Sequence, residues 1–273
     1  MSAPSAARTP DDSVPLAFDA VSMAFGERRV FDRLSFRFPA GRIAVILGGS
    51  GSGKSTALRL IGGLVQPTAG RVLVDGEDVT QLGERQLYRV RAKLGMLFQG
   101  GALLDALSVH ENVAFALRER TRLPAGEIAA RVRASLDAVG LSDADALLPS
   151  QLSGGMVKRA ALARAIVMRP SILLCDEPFS GLDPLSARRI EALLVELNTR
   201  FGMTVVVVSH DIASTMRMAA RVLVLLPDGA VEGTPAELRA SRDARVASFL
   251  DPDLDAALAS GAPVERPPGA APC

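Results

Sequence analysis

Nine residues constrain this chain more than any others: Gly48-Gly49-Ser50-Gly51-Ser52-Gly53-Lys54-Ser55-Thr56. Gly48, Gly53, Lys54 and Ser55 stand at the G-x-x-x-x-G-K-[ST] spacing of a phosphate-binding loop. Ahead of them runs Ile43-Ala44-Val45-Ile46-Leu47, which reads as a buried strand. Behind them, Thr56 to Leu64 reads as a helix ended by Gly62-Gly63 and Pro67. In that order, the glycine turn lets backbone N–H groups converge on a β-phosphate at the positive end of the helix. Lys54 can then span the β- and γ-phosphates, and the Ser55 hydroxyl can bind Mg²⁺. The loop alone says that a nucleoside triphosphate is bound, not what the energy drives.

Composition narrows the setting. At 273 residues, 48% hydrophobic and with a net charge of +1, the chain is long enough for one large α/β domain with an appended lobe. No apolar run approaches the roughly 18 residues that span a bilayer, and Met1 to Pro15 has no apolar stretch suited to a secretory signal. Membrane work is therefore expected to run through a partner, from the cytosol. Cys175 lies in an apolar run and reads as a small core residue; Cys273 is the last residue, and the two give neither a metal cluster nor a disulfide framework. Lys54, Lys93 and Lys158 are the only lysines among 31 basic residues, and 30 acidic residues balance them. That neutrality argues against a nucleic-acid partner, which favours a clearly positive domain.

Along the chain, residues 1–14 are small and polar and are expected to be disordered. Leu16 to Val79 alternates apolar and polar residues around turns, with Leu34, Phe36 and Phe38 on one face. This suits antiparallel strands before and after the buried strand. From Gln99 to about Met168 the spacing turns helical, and strand character returns at Ile172–Cys175, Val205–Val208 and Val222–Leu226. The organisation read from this is an ATPase domain over residues 15–250, a helical insert at about 100–168, and a loose Pro- and Ala-rich tail over 251–273.

Two further motifs carry chemistry. Ser171-Ile172-Leu173-Leu174-Cys175-Asp176-Glu177 is an apolar strand ending in two carboxylates, the Walker B pattern. Asp176 is placed to hold Mg²⁺, and Glu177 to polarise the water that attacks a γ-phosphate. Leu152-Ser153-Gly154-Gly155-Met156 opens a helix that Pro170 stops, with Ser153 as cap; its dipole and free N–H groups make an anion site.

The phosphate loop, LSGGM followed by KRAALARAI, and the two-carboxylate strand together resemble the ATP-binding cassette (ABC) superfamily. The resemblance implies an α/β P-loop NTPase with a RecA-like core, an antiparallel β subdomain and an inserted α-helical subdomain. It implies a homodimer around ATP and Mg²⁺, in which Ser153, Gly154 and Gly155 face the γ-phosphate held by the opposite subunit. It also assigns single residues. Gln99 in MLFQ would touch Mg²⁺ and report to the transport partner. Asp183 in SGLDP would contact the other subunit, and His210 in VVVVSHD would be the γ-phosphate switch. Phe25, before Gly26, would stack on adenine, with a core phenylalanine as the alternative. His110 reads as a helix-cap or surface residue.

Within the superfamily, MLFQGGALLDALSVHENVAFALRE, the LSGGM helix and DARVASFLD resemble the ATPases of the Mla/Mce phospholipid transport systems, from about Leu16 to Leu250. Met156 stands where most small-solute importers have Gln. Gly100 and Leu104 stand where the narrower family often has Ser and Phe, and the tail from Asp251 does not match. The resemblance implies a motor at the cytoplasmic face of the inner membrane, seated on a permease near Gln99. An MCE-domain lipid-binding protein and a STAS-domain protein would be further partners. Alternatives are an importer ATPase for a small polar solute and a cytosolic ABC ATPase acting on nucleic acid or the ribosome. The first would have a periplasmic solute-binding partner, and the second would not associate with membranes.

Overall fold

The computed structural model describes residues 14–250. The readings made for residues 1–13, for the tail and for Cys273 lie outside these.

In chain order, β1 (Leu16–Phe25), β2 (Arg28–Phe38) and β3 (Ile43–Gly48) lead into α1 (Lys54–Ile61). Then come β4 (Ala69–Val74), β5 (Glu77–Asp78), α2 (Glu84–Arg91) and β6 (Leu94–Leu97). The helical segment holds α3 (Val109–Arg120), α4 (Ala125–Ala138) and α5 (Gly154–Ile166). The described residues close with β7 (Ile172–Asp176), α6 (Pro184–Phe201), β8 (Thr204–Ser209), α7 (Ile212–Met218), β9 (Arg221–Leu226), β10 (Gly229–Gly233), α8 (Pro235–Arg239) and α9 (Ala244–Leu250).

Two sheets result. The larger runs β10-β9-β3-β8-β7-β6, parallel except for the antiparallel edge strand β10. Its inner strands are apolar through their middles because both faces are covered. Successive residues of β3 enter opposite cores. Ile43 and Val45 join Leu173, Cys175, Val205 and Val207 against α3 to α6. Ala44 and Ile46 join Leu174, Val206 and Val208 against α1 and the smaller sheet. That sheet, β2-β1-β4-β5, is antiparallel, and its inner face carries the fully buried Phe18 and Phe38 with Phe36 between them. The Phe36 ring centroid lies 4.5 Å from that of Phe18 and 4.6 Å from that of Phe38, within the favourable range for aromatic pairs. β1 is kinked by register shifts after Phe18. Gly70 passes so close there that a β-carbon on it would sit 2.3 Å from the Ala20 carbonyl oxygen.

The sheet fold class matches the expectation, with three adjustments. The antiparallel strands precede and follow β3 in sequence, but its hydrogen-bonded neighbours are β8 and β9. α1 starts at Lys54, two residues earlier than the apolar spacing predicts, because Gly53 in a left-handed conformation turns the chain directly into the helix. Residues 99–108 are not helical. Gly101 takes a φ of 77° and Ala102 a φ of 50°, and helix resumes only after the Ser108 cap, whose hydroxyl accepts from Glu111 N. The loop is fixed by the fully buried Asn112, which donates to the carbonyls of Leu104, Leu107 and Ser108 and accepts from Leu104 N. Cys175 is fully buried, as expected. His110 lies in the first turn of α3, 4.0 Å from Asp145.

Candidate nucleotide site

β3 delivers the glycine loop to the C-terminal end of the parallel sheet, the end where open α/β sheets bind ligands. Gly53 caps α1 at a φ of 100°, and a β-carbon there would lie 2.6 Å from Val30 and 2.7 Å from Phe31. Any other residue would combine that overlap with a left-handed strain of order 1–3 kcal/mol. The loop thus packs down on β2.

Lys54, only 8% exposed, lays its ammonium across the loop and donates to the carbonyls of Gly48 at 2.8 Å and Gly49 at 2.9 Å. On its other side Glu177 Oε1 lies 3.5 Å away. Ser55 Oγ donates to Asp176 Oδ1 at 3.2 Å, so the loop and the end of β7 meet through two hard oxygen groups. Burial pushes the Asp176 carboxyl above its ordinary range; the Ser55 hydroxyl opposes the shift and the Glu177 charge adds to it. Such a carboxylate beside a hydroxyl fits a small divalent cation that prefers oxygen ligands.

Glu177 is held from several sides. Its Oε2 lies 2.9 Å from His210 Nδ1, and its N–H donates to the Val208 carbonyl at 3.0 Å. Its φ is 45°, a left-handed conformation for a non-glycine residue, which persists only where surrounding contacts over-determine it. Gln99, just beyond β6, donates from Nε2 to Ser180 Oγ at 3.2 Å. Phe25 is 48% exposed at the end of β1, which removes the core alternative. These residues border one cleft of about 740 Å³, lined by Phe25, Arg28, Val30, Gln99, Glu177, His210 and the loop from Ser50 to Thr56 with the exception of Ser52.

The signature residues stand apart. Among the residues lining the cleft, Ser153, Gly154 and Gly155 are absent. They begin α5, where the Ser153 hydroxyl accepts from Met156 N at 3.3 Å. Beta-carbons on Gly154 and Gly155 would reach Leu182 at 3.7 Å and Ser186 at 3.6 Å. Asp183 belongs to that neighbourhood, capping α6 by accepting from Leu185 N and Ser186 N, each at 3.0 Å. The candidate residues therefore form two groups on one chain: those around the cleft, and the Ser153-capped start of α5 beside Asp183.

Two participants were not legible in sequence. Arg28 lines the cleft and donates to the Gly51 carbonyl at 3.1 Å. Lys158 of α5 is 5% exposed and donates to the carbonyls of Gln99 and, at 3.4 Å, Glu177. Burial lowers its pKa, against the raising effect of Asp176, Cys175 and Glu177. The sequence marks Lys158 only by its place at the head of the KRAALARAI run and by its rarity, as one of three lysines in an arginine-rich chain.

Residues 31–180 match the family described as ABC transporter. The chain belongs to the ABC transporter family. It is 45% identical over 231 residues to the intermembrane phospholipid transport system ATP-binding protein MlaF of Haemophilus influenzae, covering 84% of this chain and 88% of that protein. The Escherichia coli K12 protein of the same name is 46% identical over 85% of this chain and 86% of its own length. A probable ribonucleotide transport ATP-binding protein of Mycobacterium leprae is 39% identical over 73% of this chain and 57% of that protein. A solved ABC cassette, dimeric and bound to ADP and phosphate in a post-hydrolysis state, superposes with a TM-score of 0.73 at 33% identity, over 81% of this chain and 98% of that one. Among the described residues of this ABC chain, no helix is long and apolar enough to cross a membrane.

Proposed function

We propose that this chain is the ATP-hydrolysing motor subunit of a membrane transporter that moves phospholipids between inner and outer membranes. The observation that carries the ATPase reading is the convergence of Lys54, Ser55, Glu177 and His210 on one cleft, with Asp176 hydrogen-bonded to Ser55 behind it. For the cargo, support comes from the two MlaF proteins, similar over more than four fifths of both chains.

In this reading adenine stacks on Phe25, and the β-phosphate sits in the N–H groups of the loop at the start of α1. Lys54 leaves the Gly48 and Gly49 carbonyls for the β- and γ-phosphate oxygens. Ser55 and Asp176 would hold Mg²⁺, with Gln99 beside them, and the bound ion would supply charge neutralisation at those oxygens. Glu177 takes a proton from a water as the new water-oxygen bond to Pγ forms. The bond from Pγ to the β-phosphate oxygen breaks, and ADP keeps that electron pair. His210 turns from Glu177 to the γ-phosphate.

A second copy completes the site. Ser153, Gly154 and Gly155 lie outside the cleft of their own chain, and their helix end suits an anion supplied by another. A two-fold dimer satisfies both needs twice, because the same surface serves both partners. The dimeric ABC cassette similar to this chain supports that arrangement. Closure of the dimer pushes on a permease seated near Gln99, at the cytoplasmic face of the inner membrane. An MCE-domain lipid-binding protein and a STAS-domain protein complete the assembly. The mycobacterial relative favours a second reading, ribonucleotide transport, at lower identity and over less of either chain.

Affinity capture of the tagged chain from mildly solubilised membranes tests the assignment. A permease, an MCE-domain protein and phospholipid are expected to co-purify. A permease with a solute-binding protein and no lipid would replace the cargo, and capture without any membrane protein would overturn the transport role.

A further inference from the structure

We infer that Lys158 is a positioning residue that ties the backbone of Glu177 to the loop carrying Gln99, so that the signature helix aims the carboxylate of its own chain. The inference rests on the proposed role of Glu177 as base.

Four hydrogen bonds close a ring. Lys158 Nζ donates to the Gln99 carbonyl and to the Glu177 carbonyl. Ser180 N donates to the same Glu177 carbonyl at 3.1 Å, and Gln99 Nε2 returns to Ser180 Oγ at 3.2 Å. Glu177 sits in this ring at its left-handed φ of 45°, so the direction of its side chain depends on how its peptide is held. An ammonium suits the task, because its three donors radiate from one point and can serve carbonyls arriving from two elements.

α5 grips the loop a second time further along. Arg164 donates to the carbonyls of Ala102 at 2.6 Å and Gly101 at 2.8 Å. Gly101 passes so close to α5 that a β-carbon on it would meet Val157 at 2.8 Å. Helix and loop are thus tied together twice, and Lys158 is the direct link from the helix to Glu177, beside the indirect route through Gln99 and Ser180. Ser153 and Lys158 lie on the same helix, five residues apart. A displacement of the anion-binding helix end thus reaches the base of the same chain, while the Gln99 loop carries it towards the permease.

Steady-state ATPase assays on the full-length chain decide the matter, with thermal melts run alongside. Lys158→Met is expected to lower kcat about tenfold, with KM for ATP within about twofold. Its melting temperature is expected to fall by a few degrees at most, since the Gln99 carbonyl loses its donor while the apolar stem keeps its packing. Lys158→Arg keeps donors for both carbonyls and is expected to recover kcat to within about threefold. Arg164→Met loosens the same loop without touching Glu177 and is expected to stay within about twofold of wild type. A kcat for Lys158→Met within twofold of wild type would overturn the inference, as would an equal loss in Arg164→Met. A kcat loss that merely tracks a fall in melting temperature across the Lys158 variants would also overturn it. If the methionine variant fails to fold, the same criteria apply to Lys158→Gln. Glu177→Gln in the same series separates the two readings: full turnover there removes the base, whereas a dead Glu177→Gln beside a normal Lys158→Met removes only the positioning role.

Discussion

Replacing Glu177 with Gln is expected to abolish turnover and leave ATP binding intact. The amide keeps the size and the polar contact with His210 but cannot accept a proton from the attacking water. General-base catalysis contributes roughly 10²–10⁴-fold, so phosphate release should fall by at least about two orders of magnitude. Binding depends on other groups, the loop N–H groups and Lys54, and the affinity for ATP should stay within about threefold, under 1 kcal/mol. Because binding then proceeds without hydrolysis, the variant should accumulate as an ATP-bound dimer, with twice the monomer mass in light scattering. Phosphate-release kinetics, equilibrium titration and mass measurement together check this. Undiminished ATPase would remove Glu177 as the base.

Lys54→Met is expected to have the second largest effect, and on the other parameter. Charge-assisted hydrogen bonds are worth about 1.5–3 kcal/mol each, and the ammonium can reach oxygens of two phosphates. Part of that is offset, because Lys54 must first give up the Gly48 and Gly49 carbonyls that it holds at 2.8 and 2.9 Å. A net loss of about 3 kcal/mol corresponds to a Kd for ATP weakened by roughly 10²-fold. The methionine stem retains the packing of a nearly buried side chain, so the variant should stay folded. Calorimetric titration with ATP measures the loss; a Kd within twofold of wild type would contradict the placement of Lys54 on the phosphates.

Which parts of the site could be read in advance follows from distance along the chain. The glycine loop, the two carboxylates at the end of β7 and the Ser153 helix start are short runs whose chemistry is set by local spacing. The strand end and the capped helix start lie at those residues, and the helix after the loop starts two residues early. Phe25 was ambiguous between core and ligand contact, because a β1 residue's exposure is decided by how the smaller sheet packs, and its exposure removes the core reading. Residues 99–108 imitate a helix through Leu103, Leu104 and Leu107, but the close pass of Gly101 against Val157 and the grip of Asn112 impose another path. Lys158 escaped notice for a similar reason. Its partners lie 59 and 19 residues away, and only the packing of α5 against β6 brings them together.

ATP-driven phospholipid movement by the captured complex in proteoliposomes tests the central claim most directly. Transfer of labelled phospholipid should require ATP and the intact motor, and should fall to background with Glu177→Gln. Full ATP hydrolysis without phospholipid movement, or equal movement with Glu177→Gln, would contradict the account.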